Sequence, residues 1–140
     1  MLITIDDSKT IGDIQEQFSL CFPSLKIEFY DTPHKWKESS SDEYLIDAAM
    51  FIKEIRKTHQ PGVLEIKSYF KTGDVEQIFR KQFGLNAQIF RLEDGKWKQS
   101  TKSDQFTLAM QSQIASRQTL SQPSFVTSLG GSICTLKVQV

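Results

Sequence analysis

Asp31 and His34 stand three residues apart, and Asp6 and Asp7 close a short apolar run upstream. Carboxylates gathered around an imidazole can move protons at neutral pH or hold a metal ion, so Asp31 and His34 form one candidate polar site. His34 and His59 are the only histidines in the chain. A second set is basic: Arg80, Lys81, Arg91, Lys96 and Lys98 are the residues with which the chain would bind an anion. Neither set carries a recognised catalytic spacing. The chain has no glycine-rich phosphate loop, no nucleophile-elbow serine, no HExxH and no paired-cysteine zinc motif. No catalytic residue, metal or cofactor is therefore expected. Cys21 and Cys134 lie far apart in sequence and are expected to be ordinary thiols.

The elements that would position these residues are written twice. Trp36 in "HKWKES" and Trp97 in "GKWKQS" lie 61 positions apart, and the same offset aligns Ile5 with Ile66, Gly12 with Gly73, Asp13 with Asp74, Phe18 with Phe79 and Phe22 with Phe83. Such self-similarity marks an internal duplication. It defines units at 2–57 and 63–118, joined by a turn at Pro61 and Gly62. Each unit opens with a short strand, "LITID" or "VLEIK". A helix follows, with Ile14, Phe18, Cys21 and Phe22 on one face of the first, and Val75, Ile78, Phe79 and Phe83 on one face of the second. Thr10 and Asp13 have capping-box spacing, and the second helix is expected to shift its cap to Thr72.

Alternation predicts the next strand at "LKIEFY" and at "LNAQIF", which align at an offset of 60 and so imply a one-residue difference between the "FPS" and "FG" turns. Asp94-Gly95 signals a hairpin that returns through the Trp97 segment. A closing helix is expected over Leu45, Ala48, Ala49, Ile52 and Ile55, and again around Phe106, Ala109, Met110 and Ile114. The expected fold is α+β: two tandem βαββα units with a pseudo-twofold relation, their mixed sheets packed on helices in one compact domain, 1–118. On a strand, Trp36 and Trp97 point away from the lysines beside them, so both indoles are expected to pack inside.

Charge adds a division that the average hides. The formal net charge is zero, which argues against a nucleic-acid partner, yet residues 1–60 hold 11 acids and 7 bases while residues 61–140 hold 6 acids and 10 bases. Units of opposite sign attract, within a chain or between copies, so a homodimer is expected. The first residues lack the basic and apolar runs of a secretory signal, no stretch has the length of a membrane span, and the expected location is the cytoplasm. The tail, 119–140, has Lys137 as its one charged side chain and ends in alternation at Cys134, Leu136, Val138 and Val140, the pattern of an added strand.

"FPSLKIEFYD", "FGLNAQIFR", the Trp strand and "TLAMQ" together resemble a family of short, functionally uncharacterised bacterial proteins with a tandem α/β repeat. That resemblance covers residues 1 to about 117 and implies an α+β fold without transferring an activity. The unit order and the "T-x-G-D" helix start are also similar to parts of β-grasp domains, a likeness of fold alone. The function expected from the residues is a non-enzymatic cytoplasmic adaptor. It would bind a protein or peptide, or a second copy, through an exposed sheet edge or the groove between units. The alternative is a small enzyme or an anion-binding regulator that uses the basic second repeat.

Overall fold

The computed structural model describes residues 1–31, 44–56 and 61–118. Leu2–Ile5 (β1), Ile11–Cys21 (α1) and Leu25–Tyr30 (β2) build the first part, with a single turn of helix at Ile52–Ile55 (α2). Gly62–Glu65 (β3), Thr72–Phe83 (α3), Asn86–Glu93 (β4), Lys96–Gln99 (β5), a 3-10 turn at Thr101–Ser103 and Leu108–Gln118 (α4) build the second. The class is α+β, with four helices and two antiparallel sheets among the described residues.

Both sheets join the two parts of the chain. β1 pairs with β3, and Ile3 faces Leu64 at the middle of the register. β2 pairs with β4 around Glu28 and Gln88, and β5 continues from β4. Ile3 and Leu64 are 61 apart, and Glu28 and Gln88 are 60 apart, the offsets at which the corresponding strands align in sequence. The change from 61 to 60 has a local cause. After α1 the chain needs Pro23 and Ser24 to reach Leu25, whereas after α3 Gly84 turns alone at φ 67, a left-handed conformation open to glycine.

One core fills the space between sheets and helices. Ile5, Ile11, Ile14, Phe18, Ile27 and Phe29 from the first part, and Ile66, Val75, Phe79, Leu85, Ile89 and Leu108 from the second, are all buried in one cluster. Phe29 on β2 meets Phe79 on α3 edge to face, with ring centroids 5.4 Å apart.

The helix starts explain the repeated glycines. Thr10 caps α1: its hydroxyl accepts from the Asp13 amide at 3.2 Å, while the Asp13 carboxylate accepts from the Thr10 amide at 2.9 Å. Thr72 does not cap α3. It is the first helical residue, and its hydroxyl donates to the Phe106 carbonyl at 2.7 Å, so Lys71 takes the cap position without a side-chain bond. Gly12 and Gly73 each lie under a crossing segment. A side chain on Gly12 would begin 3.2 Å from the Ala48 carbonyl, and one on Gly73 would begin 3.1 Å from Cβ of Asp104.

Those crossings also correct the expected closing helix at 45–55. The carbonyls of Ala48 and Met50 accept from the Gly12 and Ile11 amides at 2.9 and 3.0 Å, and the Ile46 amide donates to Phe29. A backbone engaged with neighbouring elements has no groups left for its own helix, which is confined to Ile52–Ile55. The same contacts recur at α3: Gly73 donates to Asp104, Thr72 to Phe106 and Leu108 to Phe70, as Ile52 does to Lys9. On the crossing side the residues that make these contacts, Ala48 and Asp104, Met50 and Phe106, Ile52 and Leu108, are 56 apart and not 61.

Two further expectations are revised. Cys21, buried in the last turn of α1, is disulfide-bonded and not an ordinary thiol. Cys134, the one other cysteine of the sequence, lies outside the described residues with the rest of the tail, as do His34, Trp36 and His59. Trp97 is 41% exposed instead of packed inside, because β5 is the last strand of its sheet among the described residues and the indole lies on the face opposite Lys96 and Lys98.

Candidate functional site

The hairpin that presents β5 follows from its turn. Asp94 and Gly95 have φ of 53° and 74°, the left-handed pair that a two-residue hairpin requires, and Glu93 faces Lys96 across it. In such a hairpin the flanking pair exchanges main-chain bonds, and bonding alternates along the strand. Lys96, Lys98 and Ser100 therefore turn their amides toward β4, and the Ser100 amide donates to the Ile89 carbonyl at 3.0 Å. The main chain of Trp97 points the other way. Among the described residues β5 has no neighbour on that side.

Side chains on the two faces of this rim differ. On the face that carries Trp97, the register brings Lys26 of β2 opposite Phe90 and Leu92 opposite Trp97. The Lys26 ammonium lies 5.0 Å from the Phe90 ring centre and 5.1 Å from that of Trp97. Glu28 sits 3.6 Å from the same ammonium and accepts from Gln15 of α1 at 3.2 Å. Lys26 thus covers the π surfaces on which a base would stack. On the opposite face, Arg91 donates to Glu93 at 3.0 and 3.3 Å and to the Gln111 side chain at 2.6 Å. Lys98 stands 3.7 Å from Glu93, and Arg91's hydrogen bonds hold that carboxyl below its ordinary value. Lys96 is exposed at the start of the strand.

Of the five basic candidates, then, β4 and β5 bring Arg91, Lys96 and Lys98 together on one sheet, with Arg91 and Lys98 already ion-paired with Glu93. Arg80 and Lys81 are exposed on the last turn of α3, where cations complement the helix end. In the polar candidate, Asp31 is exposed, its amide donates to Tyr44 at 2.8 Å and its carbonyl accepts from Asn86 at 3.4 Å. Its expected partner His34 lies outside the described residues. Asp6 accepts from the Ser8 amide and hydroxyl, bonds that lower its pKa, and Asp7 pairs with the buried Arg56 at 3.2 Å. Among the described residues no group of three or more His, Cys, Asp or Glu is placed to hold a metal.

Sequence reasoning missed Lys26 and a buried polar cluster. Gln111 of α4 is fully buried; its amide donates to Thr72 at 3.2 Å and to the carbonyl and hydroxyl of Ser103 at 3.0 Å each. Glu76 of α3 and Asp104 are buried nearby. The signal that would have found Lys26 is the β2–β4 register, which joins residues from different units.

Among known proteins, no family model, no curated protein and no solved structure matches this chain. No described helix is long and apolar enough to cross a membrane.

Proposed function

We propose that this chain is a non-enzymatic binding module that recognises an extended acidic segment of another protein by adding it as a strand beside β5. The outward main chain of Trp97, on a strand with no neighbour on that side among the described residues, carries the reading. Edge strands template pairing with further chains, and main-chain bonds supply the affinity while side chains select the partner. Here the exposed Lys96 favours an acid on one face, and Trp97 offers apolar contact on the other.

The charges on β5 disfavour a second copy at this rim. An antiparallel pairing of β5 with itself about Trp97 would set Lys96 opposite Lys98, and like charges directly opposed destabilise a pair. The anion-regulator reading has less support, because Glu93 already faces both Arg91 and Lys98. As scaffold we read two βαββα units related by a pseudo-twofold axis. Support comes from two strand pairs centred on aligned residues and from the matching contacts at the starts of α1 and α3. The disulfide at Cys21 weighs against the cytoplasmic location expected from the sequence, because such bonds persist in oxidising compartments.

A synthetic peptide with alternating glutamate and valine, titrated against the chain and followed by calorimetry, tests the reading. Trp97→Pro removes the outward donor while leaving the β4 ladder its bonds, so binding should be lost in a folded variant. Unchanged binding in that variant defeats the proposal.

A further inference from the structure

Glu76 and Asp104 are acids buried to within 6% and 5% of full burial, in a part of the molecule that the binding reading does not use. Glu76 lies three residues beyond Gly73 on α3, so the two share a helix face. Asp104 sits over that face: its carbonyl accepts from the Gly73 amide at 2.9 Å, and its Cβ is the atom that a side chain on Gly73 would meet. The Glu76 carboxylate accepts from the Ile89 amide at 2.8 Å. In a continuing β4–β5 ladder that amide would bond the Ser100 carbonyl, yet this carbonyl accepts instead from the amide and hydroxyl of Ser103 at 2.8 and 3.1 Å. Glu76 thus closes the sheet where β5 turns away.

Two carboxyls buried at one helix face resist being charged together. The N-terminal end of α3 favours the charge on Asp104. Burial, followed by the nearby Asp104, pushes the Glu76 carboxyl well above its ordinary value, opposed by the Ile89 hydrogen bond. The surrounding elements bring these further groups: Arg91 from β4, held by Glu93 and Gln111; exposed Arg80 and Asp74 from α3; exposed Lys102 from the turn; and neutral Gln111 from α4.

We propose that Glu76 and Asp104 form a proton-controlled latch: one proton kept between them holds residues 100–107 on α3, and its release to solvent loosens that segment and the end of β5. The latch is independent of any partner.

A carbon-13 NMR titration of the glutamate carboxyls, with amide hydrogen exchange of residues 100–107 over the same pH range, tests it. Glu76 should titrate above the ordinary carboxylate range. Across that titration the amides should exchange about tenfold faster than intrinsic base catalysis accounts for, the change in open population that one pKa unit carries. Glu76→Gln should abolish the excess. Titration of Glu76 in the ordinary range, exchange that follows the intrinsic rate alone, or an excess that persists in Glu76→Gln overturns the proposal. If that variant does not fold, the wild-type titration and exchange decide.

Discussion

Replacing Phe79 by alanine should weaken both parts of the chain together. Phe79 is fully buried, so the substitution removes a large core side chain and leaves a cavity, at a cost of about 3–5 kcal/mol. Its edge-to-face contact with Phe29, at 5.4 Å and 73°, adds a coupling of about 0.5–1.5 kcal/mol, readable as the non-additivity of Phe29→Ala and Phe79→Ala. A loss of that size is a large share of the roughly 5–15 kcal/mol that stabilises an ordinary domain. Amide exchange in urea reads the two parts separately, at buried Ile14 and Phe18 of α1 and at buried Val75 of α3. The two sets should report one unfolding free energy in the parent, and Phe79→Ala should lower both equally. An α1 value that stays in place while the α3 value falls refutes the single shared core.

Three further outcomes follow from single contacts. For Glu76 the native state keeps its proton while the unfolded chain has lost it, so between the ordinary carboxylate value and the raised one stability falls as pH rises; below both it is unaffected. Wild type minus Glu76→Gln, measured by urea unfolding from about pH 4 to 8, should show that decline, near 1.4 kcal/mol per unit of displacement, and a flat difference contradicts it. Thr10→Ala should cost about 1 kcal/mol through loss of the α1 cap, and thermal unfolding indistinguishable from wild type would rule that out. Thiol titration of the denatured, unreduced chain should find fewer than two free thiols, since Cys21 is disulfide-bonded; such bonds persist in oxidising compartments, so two free thiols would favour a cytoplasmic location over the bond.

Local signals were legible where the chain interacts with itself nearby. Thr10 and Asp13 marked a helix start, alternation in "LKIEFY" separated Ile27 from Lys26, and Asp94-Gly95 marked the hairpin. What failed was decided by contacts between distant segments. Ala48 and Ala49 look helical until the carbonyls of 48 and 50 are claimed by α1. Thr72 looks like a cap until Phe106 takes its hydroxyl. The Trp97 alternation was legible too, but which face of β5 is covered depends on its place at the rim of the sheet, and no pattern within four residues encodes that. Lys26 joined the site only through the β2–β4 register.

The binding account is tested most directly at one amide. With the glutamate–valine peptide added, the exchange of the Trp97 backbone amide should slow markedly, while that of Lys98, already turned toward β4, should stay as it was. Peptide binding that leaves Trp97 exchanging freely, or that protects amides elsewhere in the chain instead, contradicts the account.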